Sequence, residues 1–395
     1  MYYEQGEALI KINKQLVKSR FGQNHHIIDS PSQIRQKEEE LNKREKRLKE
    51  KEEELYQREK DFNETKNNFK NKQENSRNKT KGSFFTSISQ KHILPAYKIL
   101  SNGMEMPYIG LGTSRIKNEK EIVYNAIKNG LRLIDTAFKY GNEVKVGQGI
   151  KQALEDGLCK REDLFIIGKI WMEFRDDPEK AIKDTMKNLG DLDYLDLYLD
   201  HWPSGNNYEF INNIKKQVSI FDMWPKMEAL VDKGLTKGIG LSNYNVQSIL
   251  NILSFCRIRP VVNEVEFHPY YYQENLKKFC EKENIALIAY YPLAHGNGAR
   301  KFILKNEGKM DAFKENNILK LSDKYKKTPA QIIINWEISQ GIISIPGTSN
   351  IEHFIENFEA LDFKMDEEDY KSLCSEGKKM KFCDCRRFFG MNIMS

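Results

Sequence analysis

From about residue 108 the chain repeats one pattern eight times: a short apolar run, then a stretch with helical amphipathic spacing. The runs lie at 108–112, 133–135, 165–169, 195–201, 238–242, 261–266, 287–290 and 342–345. The helical patterns lie at 119–129, 142–155, 178–189, 221–232, 246–254, 275–283, 317–325 and 351–358. Near-continuous apolar runs of this length fit strands buried on both faces, which is the environment of a parallel sheet covered by helices. Eight such units in roughly 250–280 residues suit a closed barrel better than an open sheet. No GxGxxG fingerprint follows the first run, which argues against a Rossmann domain. The expected fold is α/β, a (β/α)8 TIM barrel over 92–395.

The preceding residues have a different character. Positions 1–30 form an N-terminal arm in which Leu9, Ile10, Ile12, Leu16 and Val17 fit one face of a short helix; the pair His25-His26 is too small a set for a metal site. Over 31–80 the chain is dominated by Lys, Arg, Glu, Asn and Gln, and Ile34, Leu41, Leu48, Leu55, Phe62 and Phe69 recur every seven positions. That period keeps one apolar side chain on the same stripe every two turns. Glu40–Arg44, Glu45–Lys49 and Glu54–Arg58 add i,i+4 pairs contributing roughly 0.2–0.5 kcal/mol each to an isolated helix. A long charged helix is expected. The companion heptad positions Glu38, Glu45, Glu52, Glu59 and Lys66 are charged, so three readings stay open: a single solvated helix, weak self-association as a coiled coil, or docking of the stripe on a protein partner or scaffold through 31–79. Residues 81–91 read as a linker.

Charge narrows the partner class. Lys+Arg 63 against Asp+Glu 57 leaves +6, too balanced for a dedicated nucleic-acid binder. The six cysteines contain no CxxC pair, and Cys383 and Cys385 lack a nearby His, so reduced thiols and no metal are expected. No apolar run approaches a membrane span, and the polar N-terminus lacks a secretory pattern. The expected location is cytoplasmic, with attachment to a larger (for example cytoskeletal) assembly through the helix.

In a TIM barrel the active site is built where strands end and loops begin. Asp135, Lys169 and His201 end the second, third and fourth runs at separations of 34 and 32 residues, about one βα repeat each, and Tyr140 follows on the next loop. A free phenol has a pKa near ~10 and is a poor acid at neutral pH. An ammonium within ~4–6 Å favours the phenolate and lowers that pKa by about 1–3. Asp135 would hold Lys169 charged, and His201 would hydrogen-bond a substrate oxygen. The set suits protonation of an oxyanion as it forms.

These residues lie in motifs that resemble the aldo-keto reductases: Leu133-Ile134-Asp135-Thr136-Ala137-x-x-Tyr140-Gly141-Asn142-Glu143, Gly168-Lys169-Ile170-Trp171, Asp196 through Pro203, Gly240-Leu241-Ser242-Asn243-Tyr244, Val262-Asn263-x-Val265-Glu266-x-His268-Pro269-Tyr270, Ala289-Tyr290-x-Pro292-Leu293 and Thr328-Pro329-Ala330-Gln331. The resemblance runs from about Tyr97 to Phe388-Phe389-Gly390. It implies reduction of aldehydes or ketones with NADP(H), or alternatively NAD(H), and a small-molecule carbonyl substrate. Tyr140 would be the proton donor, Lys169 and Asp135 its tuners, and His201 the orienting group. Ser242 and Asn243 would hold the nicotinamide carboxamide and Tyr290 would stack on its ring. Pro292, Leu293, Thr348, Ser349, His353 and Asn357 would complete the cofactor site, Asn357 at the adenine. Trp171 and Trp202 match pocket aromatics.

Three departures stand out. Glu264 replaces the family's usual Gln beside the carboxamide; an ionised Glu only accepts hydrogen bonds, so altered cofactor affinity or redox preference is expected. Gly347 and His353 replace a Lys and an Arg that grip the 2′-phosphate of NADPH in many members, which weakens phosphate recognition while Thr348, Ser349 and helix N–H groups still contribute. Ser114 replaces a common Trp, so the pocket is expected to be wider on that side. The rival functional reading is a barrel kept as a structural or cofactor-sensing subunit, tethered to a larger assembly by its N-terminal helix; the intact tetrad favours the enzyme.

Overall fold

The computed structural model describes residues 92–203, 218–294, 311–374 and 381–383. The expected arm (1–30), charged helix (31–80) and linker (81–91) lie outside the described residues, as does Cys385.

The described chain opens with an antiparallel hairpin, β1 (Tyr97–Ile99) and β2 (Glu105–Pro107), joined by a turn in which Gly103 sits at φ 86°. Then come β3 (Leu111–Gly112), α1 (Glu119–Lys128), β4 (Leu133–Asp135), α2 (Glu143–Glu155), β5 (Phe165–Ile170), α3 (Pro178–Asn188), β6 (Leu195–Asp200) and α4 (Ile220–Asp232). The series continues with β7 (Thr236–Ser242), α5 (Val246–Leu253), β8 (Val262–Glu266), α6 (Glu274–Lys282), β9 (Ala286–Tyr290), α7 (Asn316–Tyr325), α8 (Pro329–Ser339), β10 (Ile343–Ser344), α9 (Ile351–Phe358) and α10 (Glu367–Ser372).

Strands β3 to β10 form one parallel sheet in sequence order. A parallel bridge between Ile109 and Ser344 joins its two edges, with Gly110 N–H donating to Ser344 O at 2.9 Å and Ser344 N–H to Tyr108 O at 2.8 Å. Closure removes both sheet edges. It also brings backbone close: a Cβ at Gly112 would stand 2.7 Å from Ile345 O.

Strand alternation sorts the core into two layers. Leu133, Ile167, Leu197, Leu199, Val262 and Ile288 pack together in the barrel lumen, together with Leu100 and Met106 from the hairpin segment. Ile134, Ile166, Tyr198, Val265 and Leu287 pack outward against the helices. Tight helix contact follows from Gly147 on α2, where a Cβ would stand 2.5 Å from Asn188 O.

The expected βα series is present with two differences. The hairpin β1–β2 was not anticipated. The expected helix at 317–325 is α7, but a second helix, α8, leads into β10. Residues Ala330 to Ile338 of α8 are all buried, so the segment has no solvent-facing polar side to betray a helix. Its start is marked by a capping box between Thr328 and Gln331, with Pro329 at the first turn.

Candidate active site

The lumen-facing parity of each strand decides which side chains reach the site. Asp135 follows Leu133 by two residues, Lys169 follows Ile167, His201 follows Leu199, and Glu264 follows Val262. Each continues an apolar lumen position toward the C-terminal end of the barrel. Tyr140 arrives from the short turn Phe138–Tyr140 that follows β4.

There the four expected groups meet. Lys169 Nζ forms a short ion pair with Asp135, donates to Tyr140 Oη at 3.3 Å, and lies 3.3 Å from Thr136 O. The His201 ring stands edge-on to Tyr140, with centroids 5.8 Å apart, and edge-on to Trp171 at 5.2 Å. Asp135 and Lys169 are 2% and 0% exposed, so water screens their interaction little.

Burial is the largest influence on every member. It opposes the charge on Lys169, but Asp135 and Glu264 outweigh it and hold the ammonium charged. Burial also pushes the Tyr140 phenol above its ordinary value; Lys169 pulls it down as expected, while Asp135 and Glu264 push it up. The phenol is therefore in its protonated, donating form. Burial, then the Lys169 and Lys139 charges, hold His201 well below its usual range, so the imidazole is neutral and carries one N–H.

The expected cofactor residues gather on the adjoining arc. Asn243 takes the left-handed conformation at φ 66°, its N–H donates to Glu264 O at 2.9 Å, and its side-chain amide donates to His201 O at 3.0 Å and to Ser242 Oγ at 3.1 Å. The Tyr290 hydroxyl donates to Asn243 Oδ1 at 2.6 Å, fixing a half-buried ring beside buried Pro292 and half-buried Leu293. A hydroxyl, a carboxamide and an aromatic ring side by side are a donor set that fits a nicotinamide carboxamide and its ring.

Around the barrel rim, Ser349 Oγ accepts Lys117 N–H at 2.7 Å, and Thr348 Oγ1 accepts Asn350 N–H at 3.0 Å. Asn350 caps α9, accepting Glu352 N–H at 2.8 Å. His353 is exposed on the first turn of α9, and Asn357 is buried on its inner face. A Cβ at Gly347 would meet Gly112 O at 3.0 Å. Trp171 and Trp202 pack with Met172, Phe174 and Cys383 in a separate aromatic cluster beside His201. Ser114 is exposed next to Arg115, whose guanidinium donates to Tyr291 Oη at 3.1 Å, linking the loops after β3 and β9.

Three features were not anticipated. Glu264 points its carboxylate at Lys169, 3.2 Å away. Glu266, next on the same lumen parity, accepts the backbone N–H groups of Phe382 and Cys383 (the latter at 2.7 Å) and lies 3.1 Å from His268 Nε2, so it holds the C-terminal segment against the barrel. Behind His201, buried Asp200 pairs with Arg175 at 3.2 Å and accepts the Tyr244 hydroxyl at 2.5 Å. The parity of β8 was the available signal for both glutamates.

Residues 108–375 match the model of the Aldo/keto reductase family. The chain belongs to that family. As an aldo/keto reductase it is 38% identical over 309 residues to aldose reductase C of Dictyostelium discoideum, covering 74% of this chain and 92% of the relative. It is 36% identical to the NAD(P)H-dependent D-xylose reductase of Pyricularia oryzae, covering 73% and 95%. Among solved structures, a Bombyx mori aldo-keto reductase in complex with NADP superposes with a TM-score of 0.67 at 31% identity, covering 74% and 96%. The aldose reductase of Schistosoma japonicum does so at 0.66 and 32%, covering 75% and 96%.

Proposed function

We propose that this aldo/keto reductase reduces aldehydes or ketones to alcohols with NADPH, with Tyr140 as proton donor. The observation that carries the reading is the chain Asp135–Lys169–Tyr140, ending 3.3 Å from the phenol and flanked by neutral His201. When bound at the Ser242–Asn243–Tyr290 arc, NADPH would supply the hydride for the carbonyl carbon. His201 donates its N–H to the carbonyl oxygen and orients it beside the phenol. Tyr140 then gives its proton to that oxygen as negative charge develops, and Lys169 stabilises the phenolate left behind. Asp135 keeps Lys169 charged and in place. Trp171 and Trp202 exclude water from one wall, and Ser114 leaves the other open.

Ser242, Asn243, Tyr290, Pro292 and Leu293 would hold the nicotinamide end; Thr348, Ser349, His353 and Asn357 would hold the adenosine end. With Gly347 and His353 in place of two cations, the 2′-phosphate would be held through hydroxyls and the α9 N-terminus, and NAD(H) is a competing cofactor. The relatives' dual NAD(P)H naming supports this latitude. No helix among the described residues is long and apolar enough to cross a membrane. The division into an arm, a charged heptad helix at 31–80, a linker and the barrel belongs to the same proposal, with the helix tethering a cytoplasmic reductase to a protein scaffold.

The test uses the purified full chain. Titration with NADPH and NADH, followed by nicotinamide absorbance after adding an activated aromatic aldehyde, should show turnover that Tyr140→Phe reduces by at least a hundredfold. Cofactor binding with no turnover on any aldehyde or ketone offered would replace the reductase with a cofactor-sensing subunit.

A further inference from the structure

The family-type catalytic lysine is expected to meet one carboxylate; here it meets two. Lys169 Nζ contacts Asp135 and, 3.2 Å away, Glu264 Oε2, and all three side chains are at most 3% exposed. Asp135 comes from β4, Lys169 from β5 and Glu264 from β8, so the pair reaches the ammonium from two sides of the lumen. Backbone pairing fixes Glu264 at that height: it lies opposite Ser242 on β7 and Ile288 on β9, and its own carbonyl accepts Asn243 N–H at 2.9 Å.

Two carboxylates and one ammonium in a dry lumen carry a net negative charge when all are ionised. Like charges at such range cannot both be held cheaply, so the pair keeps one proton well above the pH at which free carboxyls release theirs. Burial and the Asp135 charge push the Glu264 carboxyl far up, and burial raises Asp135 as well. The titratable and charged groups facing Glu264 are Asp135, Lys169, Tyr140 from the turn after β4, and Tyr290 from β9. Each step of deprotonation in this pair adds negative charge beside Tyr140, which makes a phenolate harder to form.

We propose that Glu264 is a positioning residue of the catalytic lysine, forming with Asp135 a buried two-carboxylate clamp that keeps Tyr140 protonated, so that proton donation persists further into the alkaline range. This rests on Tyr140 being the donor. The step itself is unchanged: the O–H bond of Tyr140 breaks, a new O–H bond forms on the substrate oxygen, and the Lys169 ammonium faces the resulting phenolate. Glu264 acts only through Lys169 and the local charge. Its replacement of an amide at this position exchanges a neutral neighbour for an ionisable one.

The experiment is the pH profile of carbonyl reduction, as kcat/KM, for the full-length wild type, Glu264→Gln and Glu264→Asp, with NADPH affinity measured at each pH. Glu264→Gln should move the alkaline limb to lower pH by about one unit, and Glu264→Asp should leave it at or near the wild-type position. An unmoved limb in a folded Glu264→Gln enzyme overturns the clamp. Loss of turnover in Tyr140→Phe together with that unmoved limb leaves the donor in place and removes only Glu264. Turnover surviving in Tyr140→Phe removes the donor itself. Should Glu264→Gln fail to fold, the alkaline absorbance difference between wild type and Tyr140→Phe reads the phenol directly. A phenol that ionises at lower pH in Glu264→Ala than in the wild type supports the clamp; no difference between the two, or wild-type ionisation at or below the ordinary tyrosine value of about 10, overturns the proposal.

Discussion

Tyr290 donates its hydroxyl proton to the side-chain carbonyl of Asn243 at 2.6 Å, and Asn243 meets it from the left-handed conformation at φ 66°. The bond spans the ends of β7 and β9 and ties together two residues proposed to receive the nicotinamide. It fixes the ring's angle and, through the amide donation to His201 O, couples the proposed cofactor arc to His201.

Tyr290→Phe keeps the ring and removes the tie. A net hydrogen bond contributes about 0.5–1.5 kcal/mol, so the Kd for NADPH should weaken by roughly 2- to 10-fold while the melting temperature changes little. Fluorescence titration of the full chain checks this. An unchanged Kd would mean that the Asn243 turn holds the arc without the phenol.

Cofactor choice should respond to position 353 more cleanly than to 347. A Cβ at Gly347 meets Gly112 O at 3.0 Å, so Gly347→Lys must shift backbone before its ammonium can help. His353 is exposed on the first turn of α9, where an arginine fits without rearrangement. A charged hydrogen bond to phosphate contributes about 1.5–3 kcal/mol, so His353→Arg should raise the NADPH over NADH preference by at least about tenfold. The kcat/KM ratio for the two cofactors measures it, and an equal gain for both would place the new cation away from the 2′-phosphate.

Glu266 holds Phe382 and Cys383 through two backbone donors, and Cys383 packs beside the Trp171–Trp202 cluster. Glu266→Ala removes both acceptors. The C-terminal segment should then cover the aromatic wall less tightly, raising KM for bulky aromatic aldehydes several-fold more than for small aliphatic ones. The comparison of KM values across a substrate series decides it; a uniform loss of kcat alone would point to a general disturbance of the barrel.

Much of this was legible in the chain. β4 and α9 have the bounds their apolar patterns indicate, because alternation and amphipathic spacing are local properties. The convergence of Asp135, Lys169 and His201 follows from their place at strand ends, and Tyr140 from its distance past Asp135. The hairpin β1–β2 escaped because its strands have three residues each and half-exposed sides, too short for a period to register. Helix α8 escaped for the opposite reason, being buried all round, polar Gln331, Asn335 and Glu337 included. The parity of β8 points Glu264 into the lumen, but its contact with Lys169 joins strands three apart in a closed sheet, across 95 sequence positions, so no local pattern names the partner. The direction of the Tyr140 shift was read from the lysine alone, whereas burial and two carboxylates oppose it. The depth of the lumen is a property of closure, not of any one segment.

Glu337 offers a test of stability independent of catalysis. It lies fully buried on α8, with no cation paired to it among the described residues, and burial pushes its carboxyl well above the free value of 4.5, partly offset by the Ser344 hydroxyl. Below pH 4.5 the carboxyl is protonated in folded and unfolded chains alike, so its proton costs nothing there. As pH rises past that value the unfolded chain releases the proton while the folded chain keeps it, and stability falls until the folded-state pKa is reached. Glu337→Gln removes the titration and retains a neutral polar group of similar shape. The variant should therefore gain on the order of 1–3 kcal/mol relative to wild type at pH 8, with the gap closing toward pH 4. Denaturant unfolding at the two pH values measures this difference, and a gap that does not change with pH would show that Glu337 ionises equally in both states.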